Sequence, residues 1–338
     1  MITIKEIAAK LNMSTTTVSN VIHGKTKEVS PQTIERVEEF LKKVDYVPNM
    51  NARNLAQNES KVIAFAMKAR KDKYTNLLMD PFVSELVGGI EETVRNAGYY
   101  MMIYISSDIT EIMRQVSTWN VDGLLLFGML NDDGIRVSER YHKPIVCLDT
   151  YSIEGLKHFT NVGLEDEKGM YDITKYLIEC GHCKIAFLSD NQSGVDLARY
   201  NGYCRAMQEI GVKVKPRDFL CIQPEADKIN DSLAQICDRL QEYTAVACVS
   251  DLYAVQLMSA LHDRGLRVPE DLSVVGFDDN TLGQLYRPAL TTVHQDVKQK
   301  GVVAVETLLK LIRGEQIPSN QIMLGTSLVI RDTVKTLS

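Results

Sequence analysis

The chain has 338 residues, 45% hydrophobic and 24% charged, with a net charge of −6. That length implies two or three compact units, and no run approaches the roughly 20 apolar residues that a membrane span needs. Ile4, Ile7 and Leu11 are separated by Lys5, Glu6 and Lys10, so no apolar signal core opens the chain, and seven scattered cysteines (Cys147, Cys180, Cys183, Cys204, Cys221, Cys237, Cys248) point to reduced thiols in a cytoplasm.

Residues 1–48 predict three short helices. Thr3 with Glu6 is a capping box, followed by Ile4, Ile7, Ala8 and Leu11 on one face. Asn12-Met13 is a turn, and Ser14 caps a second helix whose inner face is Val18, Val21 and Ile22, ended by Gly24. Ser30 and Pro31 start a third, with Ile34, Val37, Leu41 and Val44 inward. The second helix presents Thr15, Thr16, Ser19, Asn20 and His23 together. A solvated helix face usually carries Lys and Glu. Uncharged hydroxyl, amide and imidazole groups on a helix that closely follows another suit the reading of base edges in the major groove. Charge supports a small head on a larger body: residues 1–60 hold 8 Lys+Arg against 7 Asp+Glu, and the remainder 30 against 37. Residues 49–60 form a polar linker with a thin apolar stripe of Ala52, Leu55 and Ala56, able to become helical only against a partner.

From Lys61 the pattern alternates strand and helix. Buried strands are predicted at 62–67, 101–105, 124–127, 145–148, 185–188, 219–222, 246–249 and 273–277. Amphipathic helices lie between them, for example over 82–97, 168–180, 197–210 and 254–264. The expected fold is a small all-α helix-turn-helix domain followed by an α/β core of two doubly wound parallel-sheet lobes. The lobes are placed at about 61–160 with 294–321, and about 161–293 with 322–338.

The segment "TIKEIAAKLNMSTTTVSNVIHGKTKEVSPQTIERVEEFLKKVDYVPNMNARNLAQ" resembles the N-terminus of the lactose-repressor/galactose-repressor (LacI/GalR) family of bacterial transcription regulators. So do "DPFVSELVGGIEETVRNAGY", "VDGLLLFG", "YLIECGHCKIAFLSD", "ARYNGYCRAM", "GLRVPEDLSVVGFDD" and "PALTTVHQD", which extend the resemblance over nearly the whole chain. The resemblance implies a periplasmic-binding-protein-like core and a cytoplasmic, nucleoid-associated homodimeric repressor. Its partners would be double-stranded operator DNA and a small-molecule effector, a carbohydrate or related metabolite. It implies base reading by Thr15, Thr16 and Asn20, with His23 on the same face, and phosphate contacts by Thr17 and Ser19. Leu55 in "ARNLA" would be a wedge that unstacks a base step at the operator centre as the linker folds. The loop from Gly24 to Val29 is one residue longer than is common in the family, which leaves contacts by Lys25 and Lys27 open.

In parallel sheets, ligands sit beyond the carboxyl ends of the strands. Those ends carry Asp149, Ser189-Asp190, Ser250-Asp251 and Asp278-Asp279, with Arg199 on a following helix. Carboxylates accept hydrogen bonds from ligand hydroxyls, and Arg offers a fork of donors. In the family, the positions of Asp149, Arg199 and Asp278 line the effector site, and Phe82 packs on the ligand. The bland alternative is helix capping, which best suits Asp251. The run Lys68–Asp80 is about eight residues longer than the usual strand-to-helix link. It reads as a solvated loop, with a lid or an anion site as the alternative. No cofactor is implied. Cys180-Gly181-His182-Cys183 is half a zinc site without its second pair, and no nucleophile–base set or phosphate loop marks an enzyme. A sugar-binding transport protein would share the core but not the head.

Overall fold

A computed structural model describes residues 2–22, 24–27, 29–46, 60–73, 75–129, 133–151 and 160–337, with the side chain of residue 138 outside the description. The chain divides into two compact units, Met1–Ser60 and Lys61–Ser338.

In the first unit, α1 (Ile4–Leu11) begins at the reciprocal cap, the Glu6 carboxylate accepting from the Thr3 amide at 2.7 Å and the Thr3 hydroxyl from the Glu6 amide at 3.3 Å. It ends at Asn12 in the left-handed region, and α2 (Thr15–Ile22) starts at once, its Thr17 amide capped by Ser14 at 3.0 Å. The third helix, α3 (Pro31–Lys43), is capped by Ser30. Its Arg36 donates to the Leu11 carbonyl at 3.1 Å and ties the end of α1 to α3. Ile7, Ala8, Leu11, Val18, Val21 and Val37 are buried together. At about 1.5–3 kcal/mol for each large side chain, so small a core leaves caps and the Arg36 tie as a sizeable share of the head's stability.

The second unit holds two parallel sheets. The first has six strands, in spatial order β11 (Gln321–Leu324), β5 (Thr160–Leu164), β4 (Ile145–Leu148), β3 (Gly123–Phe127), β1 (Val62–Lys68) and β2 (Tyr100–Ser106). Alternation along β1 sorts its side chains. Ile63, Phe65 and Met67 pack with α4 (Pro81–Asn96) and α12 (Val297–Ile312), while Ala64 and Ala66 face α5 (Ile109–Thr118). The second sheet is β7 (Phe219–Cys221), β6 (Ile185–Ser189), β8 (Ala245–Cys248) and β9 (Ser273–Val275). Helices α7 (Asp166–Glu179), α8 (Gly194–Glu209), α9 (Ile229–Arg239) and α10 (Asp251–Asp263) bury its apolar residues. Between α7 and α8, a Cβ on Gly202 would stand 2.1 Å from the Glu167 carbonyl, so the two helices approach as only glycine allows. The pair β10 (Thr292–His294) and β12 (Ser327–Val329) is antiparallel.

Four of these strands, β5, β10, β11 and β12, are absent from the sequence reading. They are three to five residues long and two are largely exposed, so they lack an apolar run. Because β5 and β11 pair with each other, the first sheet keeps the chain to Leu164 and to Leu324, a few residues beyond 160 and 321.

Candidate functional site

On α2 the buried side carries Val18 and Val21, while Thr15 and Thr16 are exposed and Thr17, Ser19 and Asn20 are half-buried. The Thr17 hydroxyl is already paired with Ser14, 2.8 Å away. Lys25 and Lys27 are exposed just beyond. His23 and Leu55, with the linker over 49–59, lie outside the described residues.

The strand ends of the two sheets converge on one cavity of about 260 Å³. Phe82, Asp149, Arg199 and Asp278, expected from sequence, all line it. Asp80 caps α4 through the amides of Phe82 and Val83, at 3.0 and 3.4 Å, and so places Phe82 at the helix mouth. There Phe82 lies 5.9 Å from the ring of Phe127, a second cavity aromatic that ends β3. Asp149 and Asp278 have φ of +51° and +118°, a backbone that L residues rarely adopt and that costs of order 1–3 kcal/mol.

These side chains form one buried network. Lys300, 1% exposed, donates to both oxygens of Asp149 at 2.8 Å and to Gln295 at 2.9 Å. Gln295 donates to Asp278 at 2.7 Å. Arg199 lies 3.6 Å over the Phe277 ring and donates to Asp166 (2.6 Å), to the Val249 carbonyl (2.7 Å) and to Asp278 (3.4 Å). The Tyr151 hydroxyl closes the chain on Asp166. Burial pushes Asp278 up to about 6, with Arg199 and Gln295 opposing; burial raises Asp149 too, against Lys300. Burial works against the charge on Arg199, but Asp166 and Asp278 outweigh it and keep the guanidinium firmly protonated. Asp149 therefore reaches the cavity already neutralised. Lys300, Gln295 and Asp166 escape the sequence reading, because a lysine inside an apolar helix pattern reads as solvated until its partner 151 residues away is placed.

Two other strand-end residues behave differently. Asp251 is not a cap: Ser250 accepts from the Tyr253 amide and caps α10. Asp251 is instead fully buried, accepting from the Asn280 amide at 2.8 Å and the Thr292 hydroxyl at 2.5 Å. Asp190 binds the long segment after β1. Length and charge predict a solvated loop over Lys68–Asp80, yet Arg70 pairs with Asp190 at 2.6 Å and Lys73 at 3.5 Å. Those two cations hold Asp190 below its ordinary value in spite of burial. The segment thus straps the first lobe to the second at the cavity's edge. In the Cys-Gly-His-Cys turn, both His182 ring nitrogens are engaged, with Thr244 at 2.9 Å and the Lys335 carbonyl at 3.0 Å.

Family models for bacterial regulatory proteins of the lacI family and for a periplasmic binding protein-like domain match residues 3–49 and 174–334. The transcriptional repressor PurR of Vibrio atlanticus is 34% identical, with 100% of both chains covered. The repressor CytR of Escherichia coli K12 is 31% identical over 99% of this chain and 97% of its own. The chain belongs to the LacI family. Among solved structures, the lac repressor dimer bound to operator and the anti-inducer ONPF superposes with a TM-score of 0.86, at 26% identity and 99% coverage of each chain. A complex of the regulator CelR with cellobiose gives 0.72 at 26% identity, covering 98% of this chain and 100% of its own. As a LacI-family member the chain is a sequence-specific DNA-binding transcriptional repressor under small-molecule control, not an enzyme. LacI-family repressors bind operator DNA and work as dimers.

Proposed function

We propose that residues 1–48 read the operator through Thr15, Thr16, Asn20 and His23, with Thr17 and Ser19 on phosphate, and that residues 49–60 form a hinge in which Leu55 wedges the operator centre. Two copies dock on a near-palindromic site, since a two-fold dimer reads inverted half-sites. A DNA-bound repressor works at the bacterial nucleoid in the cytoplasm. The effector is a carbohydrate held by Arg199 and Asp278 against the Phe82 ring, with Asp149 behind. A single observation carries the effector reading: strand-end carboxylates of both lobes, one on strained backbone at φ +118°, converge with Arg199 and two aromatic rings on one cavity. Cellobiose in the CelR complex supports a sugar. Effector binding changes lobe geometry and so operator affinity.

The test is a sugar panel read by thermal shift and by operator binding. Asp278→Ala should lose the response to whichever sugar acts while still binding operator. Normal effector affinity of that variant by calorimetry refutes the assignment.

A further inference from the structure

The segment between β1 and α4 is anchored at both ends on the first lobe. At its start Lys68 donates to both oxygens of the buried Asp133, at 2.9 and 2.7 Å. At its end Leu77 is buried in the first lobe's core, and Asp80 caps α4. The middle of the segment is held by the second lobe instead. Arg70 donates to Oδ2 of Asp190 at 2.6 Å, and Lys73 reaches Oδ1 at 3.5 Å. Asp72 also pairs with Arg70 and orients its guanidinium. Lys73 lies 4.9 Å over the ring of Tyr253, in the first turn of α10. The socket is fixed within the second lobe: the Asn191 side-chain amide donates to Asp190 at 3.3 Å and to Asp196 at 2.8 Å, and the Asp190 side chain is 0% exposed.

Parting the lobes must therefore break one of these holds. The first-lobe ends are backed by the β1 ladder and by the apolar burial of Leu77. The pairs to Asp190 have no such backing. Separation returns Arg70, Lys73 and Asp190 to water, and their hydration offsets much of the lost attraction. The Arg70 side chain is 37% exposed even when seated, so salt reaches the contact and screens it. A contact that is strong when dry, cheap to rehydrate and set on a segment tied at both ends suits repeated opening.

We propose that Arg70, Lys73 and Asp190 form a releasable latch, which holds the two lobes together at the cavity's edge in the protein without effector, and that the cleft opens by its release. The latch does not depend on what binds; its bearing on effector control rests on the cleft being the effector site.

Hydrogen exchange read by mass spectrometry on the full-length, ligand-free protein tests this. Two sets of amides are followed: residues 69–73 in the segment, and the cavity-lining residues 128–129 and 193–195 on the two lobes. Asp190→Asn removes the charge with little change of shape. Arg70→Gln combined with Lys73→Gln removes it from the other side, on a segment whose ends stay anchored. In both proteins both sets should exchange about tenfold faster or more, because native-state exchange reports the fraction open. Raising NaCl from about 50 to about 500 mM shortens the screening length from roughly 14 to 4 Å; it should speed exchange several-fold in the wild type and by less than about twofold in the variants. Exchange unchanged in the variants, or a wild type indifferent to salt, overturns the latch. Faster exchange confined to residues 69–73 also overturns it, since the segment would then be docked without holding the lobes. Should Asp190→Asn loosen the whole second lobe, the Arg70→Gln/Lys73→Gln variant decides alone. Normal effector affinity in Asp278→Ala would remove the cleft as the effector site and leave these exchange results standing.

Discussion

Replacing Lys300 by Met removes the cation that pairs with Asp149 and leaves a carboxylate, 6% exposed in its side chain, inside the molecule. Breaking a buried pair from one side costs about 3–5 kcal/mol. The carboxylate's escape is to take up a proton. At pH 7 that costs about 4 kcal/mol, since an ordinary aspartate with pKa near 3.9 must be carried about three pH units at 1.36 kcal/mol each. At pH 5 the same step costs only about 1.5 kcal/mol. Lys300→Met should therefore lower stability by roughly 3–4 kcal/mol at pH 7, a fall in Tm of about 8 °C for a unit of this size. The deficit should shrink to about 1–2 kcal/mol at pH 5, as the proton takes the place of the ammonium. Adding Asp149→Asn should recover most of the loss at pH 7, because removing both charges is close to neutral. Denaturation from pH 5 to 8 on the wild type, both single variants and the double variant measures this. A deficit that does not change with pH, or no recovery in the double variant, refutes the pairing argument.

Asp278 has its carboxyl raised to about 6, so the folded state holds the proton more tightly than the unfolded chain. That contribution is complete below about pH 4 and is lost as pH rises through 6, roughly 3 kcal/mol in all. Asp278→Asn should thus gain on the wild type between pH 5 and 8 in denaturation experiments; a constant difference across that range would count against it. Thr16→Ala and Asn20→Ala should each lose roughly 1–3 kcal/mol of operator discrimination. An unchanged ratio of affinities for operator and scrambled duplex would remove them as base readers. Gly202→Ala places a Cβ 2.1 Å from the Glu167 carbonyl and should cost about 1–3 kcal/mol by overpacking, read as a lower Tm; wild-type stability would show that α7 and α8 can part freely. Thr3→Ala should lower the head's stability by about 1 kcal/mol, and amide exchange in α1 that stays as slow as in the wild type would contradict the capping box.

The head was legible because its signals are local. A capping hydroxyl, an apolar spacing and a proline at the first helical position each act within one turn, so Thr3, Ser14 and Ser30 mark helix starts in sequence and in structure alike. The long buried strands were legible for a similar reason: five consecutive apolar residues such as 63–67 have nowhere to go but a sheet covered on both faces. The edge strands were not, because Gln321–Leu324 and Ser327–Val329 become strands only when β5 and β10 offer them a ladder. At the cleft, place in the pattern marked Asp149, Arg199 and Asp278 as strand-end and helix-borne candidates, and the family resemblance added Phe82. It did not mark Phe127, Lys300 or Gln295, whose roles depend on what faces them.

By itself, then, the sequence determined which segments are helix or buried strand, and the uncharged polar face of the second helix, since both depend on neighbours a few residues apart. Only the tertiary structure decided that Asp149 is spent on Lys300 and that Arg70 and Lys73 strap one lobe to the other through Asp190. Those pairings join residues more than a hundred positions apart. Coulomb attraction and desolvation act on distances in space that no local pattern encodes.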